Sequence, residues 1–439
     1  MSWRDAYQSK RVTANEAVSH IKSGDRIVLA HAAAEPMILV DAMAANADAY
    51  RDVEFVNLVC LTEAPYCAPE YQKNFRLNSL FVGAPARKAV AEGRADFTPV
   101  FFHEVPALLQ TRLQPDATFL QLSPPNAHGY CSFGVSVDYT KTAAQKCGGI
   151  NIAQINKHMP CTYGDSFIHV SELDYIVEHD ETLVELQPPV LGDVEKAIGR
   201  NVASLIQDGD CLQLGIGSIP DAVLAGLTDK KDLGIYTEMF SDGVVDLVEA
   251  GVINNKHKNI HNGKLVATFL MGTQKLYDFV DHNPMVEMLS VDYVNDPRIA
   301  AQNDNLVAIN ACVQVDLLGQ VVSDSIGLRQ ISGVGGQVDF VRAANMSKGG
   351  RAIMAMPSTT KGISKIVPFI AEGAAVTTNR FDVNYVVTEH GIAALKGRTL
   401  RERAAALIKI AHPDFREALA IEYEKRFHAK FKESEWVKG

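Results

Sequence analysis

The sequence lacks the cysteine and histidine patterns of a metal site or a disulfide framework. Its seven cysteines are scattered and include no Cys-x-x-Cys pair: Cys60, Cys67, Cys131, Cys147, Cys161, Cys211 and Cys312. This pattern is typical of a reduced, cytoplasmic protein. His103 and Glu104 lack the second histidine of a zincin motif. His257 and His261 flank a lysine-rich turn that has no cysteine or acidic ligand. We therefore expect structural or surface histidines and no metal.

A basic excess, a long apolar run and a signal peptide are also missing. The chain has 42 Lys and Arg against 52 Asp and Glu, a formal net charge of -10. This balance disfavours nonspecific binding of nucleic acid, although it permits a local basic pocket for a phosphorylated cofactor. No run of about 18 apolar residues occurs, and the N-terminus has no apolar core of signal-peptide length. We expect a cytoplasmic protein with no nucleic-acid partner and no membrane partner.

The chain contains 439 residues of ordinary globular composition, of which 47% are hydrophobic. A chain of this length usually forms two domains or three. One unit occurs twice: a helix, a Gly-Asp pair, an apolar strand, a turn, a proline and a second helix. The Gly-Asp pair begins at Gly24 in the first copy and at Gly209 in the second. A further strand follows each copy, at residues 53–56 and 233–236.

Strands that alternate with helices predict mostly parallel sheets, so the repeat predicts two related open α/β domains. Chance recurrence of a common α/β pattern is the alternative. A proline-bearing polar stretch at residues 186–192 suits a linker, and we place the domains at residues 1–188 and 189–439. Further strands are expected in the second half at residues 264–270, 305–310, 319–323, 351–356 and 385–388.

The second half concentrates its candidate chemistry in two segments, residues 214–220 and 237–243. The first segment ends an apolar strand in a glycine turn and opens a helix at Pro220. Such a turn brings backbone N–H groups close to a ligand at the positive end of a helix. The second segment has a loop-like sequence and places the carboxylate of Glu238 directly after another apolar run.

Two kinds of chemistry fit this pair of segments. Gly215-x-Gly217 after a strand, with an acidic residue about twenty positions later, resembles a dinucleotide-binding fingerprint in which Glu238 holds a ribose diol. Pro220 stands where that fingerprint requires a third glycine for close helix–strand packing, so a dehydrogenase is the weaker interpretation.

Alternatively, Glu238 is a nucleophile. A carboxylate becomes effective in a dry cleft against an activated acyl group such as a thioester, and the reaction needs N–H donors for the developing oxyanion. The glycine turns at residues 215–219 and 335–336 offer such donors. No Gly-x-Ser-x-Gly elbow and no evident histidine triad occur, so a serine hydrolase has little support.

Several longer pieces of the sequence resemble the acetyl-CoA hydrolase/CoA-transferase family, most closely its 4-hydroxybutyrate and butyrate CoA-transferases. The resemblance extends over essentially the whole chain, from residues 23–26 to residues 410–415. The most specific pieces are residues 214–223, 238–247, 269–273, 321–327, 332–340 and 386–393.

The resemblance implies the CoA-transferase type of α/β fold, with the active site between two domains. It also implies a short-chain acyl-CoA:carboxylate CoA-transferase that exchanges 4-hydroxybutyrate or butyrate with acetyl-CoA. In the implied ping-pong reaction, Glu238 forms an acyl-glutamyl anhydride and then a glutamyl-CoA thioester, which an incoming carboxylate resolves. Acyl-CoA and short carboxylic acids would be the partners, with no tightly bound cofactor and no metal. The chain would form a homo-oligomer, a dimer or larger.

The same resemblance assigns site residues beyond Glu238. A loop that contacts CoA is implied at Gly215, Ile216, Gly217, Ser218 and Ile219. The amide of Gly336 would face the thioester oxygen, and Asn295 would lie near the substrate carboxylate. Lys361 would bind CoA, where an ammonium suits a phosphate, although its loop reads shorter than in the relatives.

Two alternatives of other classes stay open at this stage. One is a short-chain acyl-CoA hydrolase, in which water resolves the intermediate. The other is a non-catalytic CoA- or nucleotide-binding regulatory module, in which Glu238 is an idle carboxylate.

Overall fold

Two sheets, one in each half of the chain, organise the computed structural model, which describes residues 2–432. The first sheet is parallel, in the order Tyr175–Glu178, Ile150–Ile155, Ala117–Leu122, Arg26–Leu29, Val53–Asn57, Phe75–Ser79 and Asp96–Phe97. The second runs Gly234–Ile235, Cys211–Leu214, Leu306–Ala311, Arg351–Ala355, Tyr385–Thr388 and Gly391–Ala394, and its last strand is antiparallel. The predicted α/β fold with mostly parallel sheets is confirmed.

Both faces of the first sheet are buried, which explains its nearly continuous apolar strands. Ile27 and Leu29 pack into the same buried cluster as helix Met37–Ala45. Val28 points to the opposite face and packs with helix Val105–Gln110. Alternate residues of one strand therefore serve two different cores.

Helices lie between the strands along the chain, as the alternating pattern predicts. In the first half they are Trp3–Lys10, Ala14–Val18, Met37–Ala45, Arg87–Ala91, Val105–Gln110 and Thr140–Lys146. In the second half they are Asp193–Ala203, Ser218–Ala225, Asp242–Glu249, Gln274–Val280, Val291–Val294, Pro297–Ala300, Gln337–Met346, Leu400–Ile410 and Pro413–Phe427. No helix among the described residues is long and apolar enough to cross a membrane.

The repeated unit adopts the same local structure in both halves. Gly24 and Gly209 both have positive φ, 84° and 81°, a conformation that favours glycine. The carboxylates of Asp25 and Asp210 each accept the N–H of the residue three positions earlier, at 2.7 Å in both copies. In both halves the following strand lies between the next strand along the chain and a later one. Arg26–Leu29 lies between Val53–Asn57 and Ala117–Leu122, and Cys211–Leu214 lies between Gly234–Ile235 and Leu306–Ala311. The repeat is therefore matched in local geometry and in strand order.

Residues 179–192 separate the last strand of the first sheet from helix Asp193–Ala203 and contain no helix or strand. The boundary placed at residues 188 and 189 falls inside this segment and stays a prediction. The two halves nevertheless share one buried apolar cluster, which includes Leu122 and Ile155 of the first sheet and Leu214 and Ile309 of the second.

Short strands complete the fold and join the halves. Tyr163–Gly164 of the first half pairs with Val286–Met288, which also pairs with Leu265–Ala267. The other short pairings are Tyr130–Ser132 with Phe167–His169, Met239–Phe240 with Phe269–Leu270, Gln314–Asp316 with Val321–Val322 and Ile366–Val367, Ser325–Ile326 with Arg329–Gln330, and Thr359–Thr360 with Ile363–Ser364.

The prediction of one continuous strand over residues 264–270 is wrong, because the strand is broken at Thr268. Two strands stand in its place, Leu265–Ala267 and Phe269–Leu270, and they belong to different sheets. The segment expected as a loop at residues 237–243 contains the short strand Met239–Phe240, which pairs with the second of them. The other four expected strands occur as Leu306–Ala311, Val321–Val322, Arg351–Ala355 and Tyr385–Thr388.

We expect Gly199→Ala to destabilise the second half. Gly199 lies in helix Asp193–Ala203, where an added Cβ would be 2.7 Å from the carbonyl carbon of Ala222. Because this carbonyl is part of the backbone of helix Ser218–Ala225, it cannot rotate away, and the two helices must separate. The free energy of unfolding should fall by about 1–3 kcal/mol in urea denaturation. Lys196→Ala, on the exposed face of the same helix, serves as the control. Equal stability of both variants would contradict this close packing.

Candidate active site

The backbone around Glu238 is fixed by three hydrogen bonds. The Glu238 carbonyl accepts the N–H of Thr268 at 2.8 Å and the N–H of Phe269 at 3.1 Å. The Thr237 hydroxyl donates to the carbonyl of Leu214 at 3.1 Å. Leu214 ends the strand that leads into the glycine turn, so the two segments predicted to carry the chemistry are in direct contact.

The side chain of Glu238 is held by two N–H donors. Asn295 donates from Nδ2 to Oε2 of Glu238 at 3.0 Å, and the backbone N–H of Gly336 lies close enough to the same carboxylate to lower its pKa. Gly336 is the residue before helix Gln337–Met346, so the carboxylate lies at the positive end of a helix of ten residues. The Glu238 side chain is partly buried, and Asn295 is fully buried.

Only glycine fits at position 336 without displacing these groups. A Cβ there would overlap Oε2 of Glu238 and Nδ2 of Asn295, and it would lie 3.0 Å from the Glu238 carboxyl carbon. The backbone of Gly336 has φ −92°, which other residues also adopt. The requirement for glycine is therefore one of space and not of backbone conformation.

Burial raises the pKa of the Glu238 carboxyl to about 7, because desolvation disfavours its charged form. The negative charge of Asp339 nearby raises this pKa as well, whereas the hydrogen bonds from Asn295 and Gly336 lower it. Near neutral pH the side chain is therefore balanced between its acid and carboxylate forms. Such a carboxylate is weakly solvated and suits nucleophilic attack.

Asp339 has no sequence signature of a site residue, and the sequence around His103 predicts only a structural or surface histidine. In the structure Asp339 lies near Glu238, and His103 pairs with Asp339: the ring Nδ1 of His103 lies 2.8 Å from Oδ1 of Asp339. Asp339 is 1% exposed, and burial raises its pKa while His103 lowers it. The contact with Asp339 raises the pKa of His103 in turn. No local sequence signal links the two residues, because 236 positions separate them.

The glycine loop, defined here as residues 215–219, lies at the start of helix Ser218–Ala225. Gly217 precedes that helix with φ 103°, a conformation that strongly favours glycine. Ile216 exposes 38% of its surface. Ser218 and Ile219 open the helix, where backbone N–H groups lack partners within the helix. The loop is thus an open, donor-rich surface, as the sequence predicts.

A cavity of about 670 Å³ lies beside the glycine loop. Its wall includes Ile216 and Gly217 together with the linker residues Leu186 and Leu191. Asp221, Asp242 and Asp246 also line it, and Glu238 and cationic side chains are absent from that lining. A wall of this kind disfavours a phosphate. Within residues 2–432, no group of three His, Cys, Asp or Glu side chains has the arrangement of a metal site.

Lys361 is separate from the cluster around Glu238. It lies exposed at the tip of the hairpin formed by Thr359–Thr360 and Ile363–Ser364, with φ 49°. Among the described residues no hydrogen bond or ion pair joins it to Glu238. Its assignment to CoA stays a prediction, as do those of the glycine loop, Gly336 and Asn295.

Comparison with known proteins gives the family of this fold and site. Models of the N-terminal and C-terminal domains of acetyl-CoA hydrolase/transferase match residues 1–188 and 272–423. The 4-hydroxybutyrate coenzyme A transferase of Clostridium kluyveri is 61% identical over 97% of this chain and 100% of its own. The chain belongs to the acetyl-CoA hydrolase/transferase family. The expectation of an enzyme similar to 4-hydroxybutyrate CoA-transferases is confirmed by these matches.

Solved structures of this acetyl-CoA hydrolase/transferase family share the whole fold. A 4-hydroxybutyrate CoA-transferase from Porphyromonas gingivalis is 43% identical, with a TM-score of 0.84 over 97% of this chain and 100% of that one. RipA from Yersinia pestis is 38% identical, with a TM-score of 0.92 over 98% of this chain and 100% of that one. The expected CoA-transferase type of fold is thereby confirmed.

We expect Glu238→Gln to stabilise the protein near pH 8. The folded-state pKa of Glu238, about 7, lies above the ordinary value of 4.5. Between pH 4.5 and about pH 7, Glu238 is therefore protonated in the folded wild type and ionised in the unfolded chain. Wild-type stability therefore falls as the pH rises through this window. The free energy of unfolding of Glu238→Gln should exceed that of the wild type by about 1–2 kcal/mol at pH 8.

Urea denaturation of both proteins at a series of pH values measures this difference. The difference should shrink as the pH is lowered from about 8 and should vanish below about 4.5, where both states are protonated. A difference that grows on acidification would contradict the raised pKa.

Proposed function

We propose that this enzyme transfers CoA between a short-chain acyl-CoA and a short carboxylate, with 4-hydroxybutyrate or butyrate exchanged against acetyl-CoA. The observation that carries the proposal is the partly buried Glu238 carboxylate, held by Asn295 and Gly336 with its pKa raised by burial. The named activity of the Clostridium kluyveri relative supports the choice of substrates.

In the first half-reaction, the Glu238 carboxylate attacks the thioester carbonyl carbon of the acyl-CoA. The carbon–sulfur bond breaks, CoA leaves as a thiolate, and an acyl-glutamyl anhydride remains. The thiolate then attacks the glutamyl carbonyl of that anhydride and releases the first carboxylate. The enzyme is left as a glutamyl-CoA thioester, and no water or external proton is consumed.

The second half-reaction reverses these steps with a different acid. The incoming carboxylate attacks the glutamyl-CoA carbonyl and displaces the thiolate, which then takes the acyl group from the new anhydride. The new acyl-CoA leaves and Glu238 returns as a free carboxylate. CoA is therefore a substrate throughout and not a resident cofactor.

The two donors on Glu238 suit the oxyanions of both half-reactions. As a carbonyl carbon becomes tetrahedral, negative charge accumulates on its oxygen, and fixed N–H groups stabilise that charge more than they stabilise the neutral carbonyl. The N–H of Gly336 would face the thioester oxygen, and Asn295 would lie beside the carboxylate substrate. The position at the start of helix Gln337–Met346 adds a fixed positive potential.

We assign CoA contacts to two further places. The glycine loop would contact CoA through its backbone N–H groups at the start of helix Ser218–Ala225. Lys361 would meet a CoA phosphate from its exposed hairpin tip, where a flexible ammonium can follow a mobile ligand.

Incubation with acyl-CoA followed by borohydride is expected to inactivate the wild type irreversibly. Borohydride reduces a glutamyl thioester to an alcohol, so mass spectrometry of the peptide containing Glu238 should detect the reduced side chain. Addition of acetate before borohydride should protect the enzyme, because the carboxylate discharges the intermediate. Glu238→Ala should be neither active nor labelled. Full activity after borohydride, together with an active Glu238→Ala, would refute the mechanism.

The same preparation distinguishes the competing functions. Release of CoA from acyl-CoA at full rate without acetate would indicate a hydrolase. Tight binding of acyl-CoA with no turnover on any short carboxylate would indicate a regulatory module. Exchange that requires the second carboxylate is the result we expect.

We expect Gly336→Ala to lower the transfer rate on the order of 100-fold. The added methyl group overlaps the Glu238 carboxylate and the Asn295 amide, so both the nucleophile and a donor are displaced. Gly192→Ala is the matched control, because its methyl group meets only the side chain of Glu195, which can move away. Steady-state rates of both variants with the same acyl-CoA measure the effect. A rate for Gly336→Ala within twofold of the control would contradict the assignment.

A further inference from the structure

His103 contacts both carboxylate oxygens of Asp339. The backbone N–H of His103 donates to Oδ2 at 3.2 Å, and its ring Nδ1 lies 2.8 Å from Oδ1. His103 belongs to a short turn of the first half, and its side chain is 24% exposed, whereas that of Asp339 is 1% exposed. A carboxylate held on both oxygens has a fixed orientation.

The contact between His103 and Asp339 lies at the start of helix Gln337–Met346, whose first turn faces Glu238. Asp339 is in the first turn of helix Gln337–Met346, three residues after Gly336. A second bond ties the same two segments, because the N–H of Phe102 donates to the carbonyl of Gly335 at 3.3 Å. The first half of the chain therefore contacts residues on either side of Gly336, at the carbonyl of Gly335 and at the side chain of Asp339.

Asp339 also connects to the second donor of the site. The side chain of Asn295 donates to Glu238 at 3.0 Å and lies close enough to Asp339 to lower the pKa of that carboxyl. Asn295 is completely buried, so its amide is confined to a place near these two carboxylates. Two hydrogen-bonded pairs, His103 with Asp339 and Asn295 with Glu238, are therefore neighbours, and Asp339 acts on both Asn295 and Glu238 through its charge.

Charge gives His103 a second effect on the site. An uncompensated Asp339 would place a buried negative charge beside the nucleophile, and a cationic His103 offsets it. The groups that act on His103 are Asp339, its neighbour Glu104 and Asp296. Asp296 is itself paired with Arg298 at 2.6 Å, which leaves Asp339 as the main partner of the imidazole.

We propose that His103 is a positioning residue for the reaction proposed above: through Asp339 it orients Asn295 and Gly336 on the Glu238 carboxylate. The first half thereby controls donors that belong entirely to the second half. The inference rests on the proposed transfer reaction. It assigns His103 no contact with substrate.

Four variants test this role: His103→Ala, His103→Asn, Asp339→Asn and the control His261→Asn. His103→Ala removes the imidazole contact with Asp339 and should lower kcat on the order of 10- to 100-fold. Small displacements of reacting groups lower rates by this amount. KM for acyl-CoA should change little, because the glycine loop is untouched. His103→Asn keeps a donor near Nδ1 and should recover most of kcat. His261 pairs with Glu287 through a similar contact, so its variant should retain the wild-type kcat.

The pH profile of kcat/KM separates positioning from mere folding. Activity requires the ionised form of Glu238 and should fall as the pH drops through its pKa. In Asp339→Asn the negative charge beside Glu238 is gone, so this acid limb should move to lower pH. In His103→Asn the positive charge is gone and Asp339 is not offset, so the limb should move to higher pH. A purely structural role leaves the limb in place.

Each outcome bears on the inference. Opposite shifts of the limb together with recovery by His103→Asn would support it. Wild-type kcat in His103→Ala would overturn it. A second result would also overturn the inference: equal losses of kcat in His103→Ala and His103→Asn, an acid limb of the pH profile that does not move, and a lowered melting temperature of both variants. Borohydride trapping of the wild type, measured in parallel, keeps this test distinct from a failure of the proposed function.

Discussion

The structure depends on one arrangement, a carboxylate held by N–H donors in a place where its charge is costly. Burial and the charge of Asp339 raise the pKa of Glu238, while Asn295 and Gly336 lower it. In water the carboxylate would be ionised but strongly solvated and a poor nucleophile. In an apolar core it would be protonated and inert. The balance between burial and two hydrogen bonds supplies a carboxylate that is both ionisable near neutral pH and weakly solvated.

The same arrangement also requires a particular backbone conformation around Glu238. Glu238, Asn295 and Gly336 come from three separate segments, and the broken strand at Thr268 explains how the first of them is placed. If residues 264–270 formed one straight strand, the N–H groups of Thr268 and Phe269 could not both reach the carbonyl of Glu238. The break therefore fixes the backbone of Glu238, and the donors fix its carboxylate.

The sequence predicts what local signals encode. The strand, the glycine turn and the helix at residues 211–225 follow from apolar runs and glycines, and the structure contains each of them. Asn295 is identified only through the family resemblance, since an isolated asparagine has no chemical signature. Gly336 belongs to a glycine turn that the sequence itself offers as a source of N–H donors, and the resemblance adds its specific role. His103 was set aside and Asp339 was missed, because their pairing spans 236 positions and depends on how the halves pack. Long-range polar contacts of this kind leave no periodic trace in one sequence.

The repeated fold carries the Glu238 carboxylate in one copy only. Phe55 and Ile235 occupy the same register position, because each pairs with the residue three positions after the repeated glycine. Three residues further along, the first half has the buried Leu58 where the second half has Glu238. The first copy thus keeps the scaffold without the carboxylate. The first half instead contacts this site through Phe102 and His103, which bond to Gly335 and Asp339. In the proposed reaction, one half would therefore bear the reacting group and the other would hold the donors in place.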